Sequence, residues 1–319
     1  MDEFELIRHY FAAAACARVG GDVALGIGDD CALLGVPVGE QLAVSTDTLV
    51  AGVHFSDPCD PYLLGQRALA VSTSDLAGMG ATPIGFTLAL TIPSVDPDWL
   101  SAFARGLDTM AAGCDMRLIG GDTTRGPLSV TLTVFGRVPV GQALLRSGAQ
   151  PGDLLCVGGS LGDAAGALPI VLGEREADTA EAAALLRRYW SPQPQLALGQ
   201  ALRGKATAAL DISDGLLADC AHIAEASSVS LVVEQARVPL SNALLRFAGA
   251  EQALQCGLSG GDDYLLVFTL PADMLPAMQA EGWPVHVIGH VAAGDGVRLV
   301  DAEGNSLSAG HRGYNHFTS

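Results

Sequence analysis

The chain has 319 residues, 49 % of them hydrophobic, and a formal charge of −18 with one lysine, Lys205. That length exceeds one typical core and suits two domains. The acidity and the lack of any basic block argue against nucleic acid or an anionic membrane as a partner, because both select clustered Lys and Arg.

The N-terminal residues Met1-Asp2-Glu3-Phe4-Glu5 are acidic and lack the basic region of a secretory leader. No stretch approaches the ~20 apolar residues of a membrane span, so a soluble, cytoplasmic protein is expected. Residues 41–45, 84–92 and 129–138, together rich in Val, Leu, Ile and Thr, read as strands, and 61–80 as a helix. A helix over 98–113 is opened by Asp96-Pro97 and closed by Gly113, and 129–138 alternates as a half-buried strand does. The polar, Gly/Pro-punctuated stretch 146–153 suits a linker, which divides the chain into 1–148 and 149–319. Beyond it the pattern predicts strands over 154–157, 207–210, 230–233, 264–269 and 285–288. Helices are predicted near Asp163 and over 179–189, 193–203 and 216–226. Two mixed α/β domains follow from this alternation. The seven cysteines are widely spaced with no C-x-x-C, so they read as reduced and mostly buried, and structural zinc is not expected.

Five short segments put aspartate beside glycine or hydroxyl residues: Gly26-Ile27-Gly28-Asp29-Asp30, Ser45-Thr46-Asp47-Thr48, Gly120-Gly121-Asp122-Thr123-Thr124, Asp211-Ile212-Ser213-Asp214-Gly215 and Ser259-Gly260-Gly261-Asp262-Asp263. Most follow an apolar run, so they are expected to be turns at strand ends. Two carboxylates ~4 Å apart repel by roughly 4 kcal/mol at an effective dielectric near 20. A gathering of them needs cations, and with one lysine available the expected cation is a hard divalent metal, Mg²⁺ above all.

Asp75 is the sharpest case, being the sole charged residue from Ala68 to Ala81 and sharing a helical stripe with Leu64, Ala68, Val71 and Met79. A carboxylate on a buried helix needs a metal or an arginine. Asp29, Asp30, Asp47, Asp122, Asp211 and Asp214 could each be an ordinary Asx-turn or helix cap. Together with Asp75 and the scarcity of lysine they favour joint metal binding. The chain has no G-x-x-x-x-G-K-[ST] loop, no kinase lysine and no H-R-D, and Gly158 to Gly162 is not a dinucleotide turn. If ATP is used, Mg²⁺ and arginine must carry its charge, with Arg146 and Arg125 as candidates. His54 in a glycine loop and Tyr314 in the polar tail are further candidates, each with a purely structural alternative.

These segments, with Ser74-Asp75-Leu76-Ala77, together resemble the thiamine-monophosphate kinases, a family of the superfamily that includes aminoimidazole ribonucleotide synthetase and selenophosphate synthetase. The resemblance runs over essentially the whole chain. It implies a homodimer in which the N-terminal mixed sheets join across a two-fold into a β-barrel, each followed by a C-terminal α/β domain. It implies ATP-dependent phosphorylation of thiamine monophosphate to thiamine diphosphate, assisted by several Mg²⁺ ions. Carried over position by position, Asp30, Ser45, Thr46, Asp47, Asp75, Asp122, Asp211 and Asp214 are similar to magnesium ligands. Gly121, Asp122, Arg146 and Ser213 match nucleotide contacts, and His54, Asp262 and Tyr314 match contacts to thiamine. The family often has Gly-Gly-Glu-Asp where this chain has Gly260-Gly261-Asp262-Asp263, leaving one methylene of reach for water to bridge.

Within the superfamily, a selenophosphate synthetase should carry a reactive Cys in an N-terminal glycine loop, whereas Cys16 lies in the helix-forming run 12–17. An aminoimidazole ribonucleotide synthetase should carry a lysine where this chain has Gly28-Asp29-Asp30. A non-catalytic nucleotide or metal sensor is the alternative of a different class.

Overall fold

The computed structural model describes residues 3–307; Tyr314 lies outside them. The chain packs as two units, one holding the residues to Leu76 with Ala81–Gly141, the other Ala77–Gly80 with the chain from Gln142 onward. No helix among the described residues is long and apolar enough to cross a membrane.

The first unit opens with α1 (Glu3–Leu6), which runs on into a π-helical turn, and a short ribbon of β1 (Val23–Leu25) and β2 (Leu33–Leu34). Then follow β3 (Glu40–Val50), α2 (Pro61–Gly78), β4 (Thr82–Ile92), α3 (Pro97–Cys114), β5 (Arg117–Arg125) and β6 (Ser129–Pro139). The last four strands form an open mixed sheet in the order β3-β6-β4-β5, antiparallel except for β4 with β5. Along β6 every second residue is buried, Val130, Leu132, Val134 and Val138 among them, and Thr131, Thr133 and Phe135 face the other way. That period of two gives one apolar face and one rich in threonine. Asp96 caps α3 by accepting from the backbone of Asp98 and Trp99, with Pro97 at the first helical position.

Helices α2 and α3 cross at glycine. A Cβ on Gly106 would stand 2.1 Å from the Tyr62 carbonyl, and one on Gly65 would stand 2.5 Å from that of Phe103. Only hydrogen at both positions permits the approach.

The second unit contains β7 (Leu154–Val157), α4 (Asp163–Val171), α5 (Ala180–Trp190), α6 (Leu196–Leu202), β8 (Ala208–Asp211), α7 (Leu216–Ser227), β9 (Ser230–Glu234), α8 (Asn242–Ala248), α9 (Ala250–Ser259), β10 (Leu266–Leu270), α10 (Leu275–Ala280), β11 (His286–Ala292), β12 (Val297–Val300) and β13 (Ser306–Leu307). Its seven strands are ordered β13-β12-β9-β11-β7-β10-β8, so β8 is an edge. Both faces are covered, which explains why the strands read as continuous apolar runs. Leu155, Val157, Leu210 and Val267 pack with Leu216, Cys220 and Ile223 of α7. Cys156, Ala209, Leu266 and Phe268 pack with Leu198 and Leu202 of α6 and Met278 of α10. Neither sheet closes on itself within the chain, and the fold is mixed α/β in both units.

Two of the expected turns are strand instead. Ser45-Thr46-Asp47-Thr48 lies inside the eleven-residue β3, and Gly120 to Thr124 lies inside β5. On a sheet with a polar face, hydroxyl and acidic residues alternate with buried ones, and that alternation imitates a turn.

Candidate active site

Register along β3 turns Ser45, Asp47 and Leu49 to the apolar face of the first sheet, because their partners Val134, Leu132 and Val130 are buried there. Helix α2 meets this face: a Cβ on Gly136 of β6 would stand 3.0 Å from Leu76. Asp75 is therefore aimed at β3, where the Ser45 hydroxyl donates to its Oδ2. Asp47 is pushed up to about 6, first by burial and second by the negative charge of Asp75, against a hydrogen bond from Ser72. Ser72 and Asp75 are one helical turn apart and present their polar groups together. The adjacent Ser74 hydroxyl is fully buried without a partner.

The other expected residues of this unit are dispersed. One cross-strand row runs Asp47–Leu132–Leu88–Gly121 from edge to edge of the sheet. Asp122 sits in the next row with Ala89, Thr131 and Thr48. It is thus on the opposite edge and opposite face from Asp47, three strand spacings or about 14 Å across. The chain alone does not bring these two carboxylates together. Gly121 lets β5 press against β4, since its Cβ would fall 1.9 Å from the Leu88 carbonyl at a φ of +150°. The Thr46 hydroxyl is on the threonine face, 2.9 Å from that of Thr133. Asp30 is exposed in the loop between β1 and β2, its amide held 2.9 Å from Asp29 Oδ1. His54 follows β3, and its Nδ1 accepts the Val50 amide at 3.0 Å, which assigns the proton to Nε2.

In the second unit the turn from β8 to α7 carries Asp211 at the strand end, exposed Ser213 and half-buried Asp214. One oxygen of Asp219, on the first turns of α7, accepts the backbone N–H groups of Ser213, Asp214 and Gly215 at 3.0–3.1 Å. Burial, then Asp211 and Asp214, push Asp219 up to about 7. Asp214, Asp219 and His222 offer ligand atoms within 4.8 Å of one another. Arg146 is exposed beside the same edge strand, where the neighbouring Leu145 carbonyl accepts the Ala209 amide at 2.8 Å.

The segment 260–264 runs beside this turn, with the Asp262 amide donating to the Ser213 carbonyl at 2.9 Å and that of Tyr264 to Ile212 at 2.8 Å. Asp263 is buried, and both its oxygens accept the Gly162 amide, at 2.9 and 3.0 Å. Burial holds its carboxyl well above the usual range. Asp262 is half-buried, and its carboxylate accepts from Tyr264 at 2.8 Å.

The donor set fits a hard divalent cation. Asp47 and Asp75 with the hydroxyls of Ser45 and Ser72 offer oxygen only, Asp47 is destabilised as an anion, and a buried hydroxyl beside them lacks a partner. Two members of these clusters, Ser72 and Asp219, escape sequence reasoning. Asp219 carries a signal like that of Asp75, a lone carboxylate in a mostly apolar helical run (Leu216 to Ala221, apart from Asp219). Ser72, one of three consecutive hydroxyl residues, carries none.

Residues 28–138 match the N-terminal domain model of the AIR synthase related proteins, and residues 150–302 match its C-terminal domain model. The chain is 47 % identical over 323 residues to the thiamine-monophosphate kinase of Escherichia coli K12, covering 99 % of this chain and 98 % of that one. It superposes on the crystal structure of thiamine-monophosphate kinase from Stenotrophomonas maltophilia with a TM-score of 0.84 at 45 % identity, over 90 % of this chain and 92 % of that one. The solved structure of AaThiL complexed with AMPPCP and TMP gives 0.79 at 28 % identity, over 91 % and 92 %.

Proposed function

Because this chain belongs to the thiamine-monophosphate kinases of the AIR synthase related family, we propose that it transfers the γ-phosphoryl group of ATP directly and in line to the phosphate of thiamine monophosphate, giving thiamine diphosphate. The observation that carries this is the Asp47–Asp75 pair, two carboxylates near enough for the charge of one to raise the other, and bordered by hydroxyls. AMPPCP, an ATP analogue, and TMP bound together in a homologous structure support the same two substrates here.

The acceptor phosphate is already ionised at neutral pH, so no side chain has to act as a strong base. What the protein must supply is a way to hold two polyanions together. Asp30, Ser45, Asp47, Asp75, Asp122, Asp211 and Asp214 are the proposed holders of several Mg²⁺ ions, and Thr46, whose hydroxyl is turned away, joins them through its carbonyl. Bound Mg²⁺ supplies neutralisation of the phosphate oxygens and electrophilic assistance to transfer. The chain's own contribution is rigidity. Asp47 is fixed in mid-strand and Asp75 in mid-helix, while Asp219 ties three amides of the 213–215 turn to one oxygen. Gly121, Asp122, Arg146 and Ser213 are assigned to the nucleotide, and His54, Asp262 and Tyr314 to thiamine.

The exposed threonine stretch of β3 and β6 and the β3 edge of the sheet support a homodimer in which paired sheets close into a barrel. A closure that set one protomer's β3 edge beside the partner's β5 edge would shorten the distance between Asp47 and Asp122 along the sheet, while leaving them on its opposite faces.

The deciding experiment is ADP release from ATP with thiamine monophosphate, with free thiamine, and with neither. Release only with the monophosphate, and its loss in EDTA, is the expected result. ATP binding without ADP release in any arm would instead describe a sensor.

A further inference from the structure

Two non-glycine residues of the 260–264 segment adopt left-handed backbone, Asp262 at φ +68° and Tyr264 at φ +50°. Such conformations are strained for side chains with a Cβ, and for a tyrosine they are rare. The segment is over-determined by its surroundings. Asp262 and Tyr264 donate their amides to Ser213 and Ile212, and between them Asp263 is sunk into the interior against the Gly162 amide. Gly261 presses so closely on the 211–215 turn that a Cβ would fall 2.4 Å from the Ser213 carbonyl. The bend made by the two left-handed residues brings the phenol of Tyr264, itself 7 % exposed, back to the carboxylate two residues earlier.

We propose that Tyr264 is a positioning residue for thiamine monophosphate, its phenol holding the Asp262 carboxylate in the orientation that meets the thiamine moiety. The inference rests on the assignment of Asp262 to that substrate. The physical reason is reach and freedom. A half-buried aspartate has two rotatable bonds, and a hydroxyl 2.8 Å from Oδ1 restricts both. The hydrogen bond is charge-assisted, the stronger kind. The backbone pairing to Ser213 places the same carboxylate in fixed register with the turn assigned to nucleotide and metal.

Steady-state kinetics of Tyr264→Phe, Asp262→Asn and the double variant test this. Tyr264→Phe keeps the ring and its packing and removes one oxygen. KM for thiamine monophosphate should rise roughly tenfold, as expected for losing a hydrogen bond to a charged group. KM for ATP and kcat should stay within about twofold, a split that general damage to the fold would not produce. If Tyr264 acts through Asp262, the double variant is no worse than Asp262→Asn alone. An unchanged KM in Tyr264→Phe, or additive losses in the double variant, overturns the proposal. An unchanged KM in Asp262→Asn overturns instead the substrate assignment on which it stands. Calorimetric titration of thiamine monophosphate into each variant gives the same comparison as dissociation constants, should turnover be too slow to fit.

Discussion

At the scale of single residues the chain stores electrostatic strain where its ligands belong. Asp47 and Asp75 raise each other's energy, and the neighbours that answer them are hydroxyls rather than a lysine. Asp75→Asn keeps the shape and an acceptor for Ser45 while removing one charge. Turnover should fall by at least about 100-fold if, as proposed, this carboxylate binds magnesium. The melting temperature in EDTA should hold or rise, by roughly 2–4 °C for each kcal/mol of repulsion relieved. Asp47→Asn should behave alike. Coupled ADP assays and thermal unfolding followed by circular dichroism read the two effects, and near-normal turnover in both variants would remove the metal assignment. The sequence made Asp75 conspicuous because nothing else in its helix is charged. Ser72 was invisible, since a hydroxyl in a run of hydroxyls has no pattern until the opposite strand is known. Asp219 was overlooked because a carboxylate early in a helix reads as a favourable dipole partner, whereas here it gathers the amides of the preceding turn.

At the scale of elements, alternation of strands and helices could be read along most of the chain, and 154–157 is a strand to the residue. The two misread turns share one cause. β3 and β5 continue through Ser45 to Thr48 and Gly120 to Thr124 because their outward face is polar, and period-two polarity with glycine looks like a break. Helices α8 and α9 were not foreseen, since they are short and separated by Gly249 alone. The crossing of α2 and α3 is where element geometry meets the site, because α2 carries both Ser72 and Asp75. Gly106→Ala would drive a methyl into the Tyr62 carbonyl, so the helices must part. Overpacking of this kind costs about 1–3 kcal/mol, sometimes more. The variant should unfold at lower denaturant and, if α2 holds magnesium as proposed, bind it more weakly, whereas Gly113→Ala, with nothing near its Cβ, should be at least as stable as wild type. Equal stability of the two variants would show that α2 is not held by this crossing.

At the scale of the molecule, the resemblance of six ordered segments was enough to anticipate the family, and the comparisons agree over nearly the whole chain. What one chain does not reveal is how Asp47 and Asp122, on opposite edges and faces of one sheet, serve a single reaction. If each site draws Asp47 from one protomer and Asp122 from its partner, mixing Asp47→Asn with Asp122→Asn chains creates heterodimers with one intact site. Activity should recover to roughly a quarter of wild type, because half the dimers are mixed and each has one good site. No recovery after subunit exchange would place both residues in the site of one and the same protomer. The threonine face bears on whether such exchange can occur. Its hydroxyls pair across strands, Thr46 with Thr133 at 2.9 Å and Thr48 with Thr131 at 2.8 Å, so each pair spends one donor internally and turns the other to water when the sheet is bare. If chains pair through this face, the spare hydroxyls keep it wettable when it is uncovered, and dilution should yield folded single chains that reassociate on concentration.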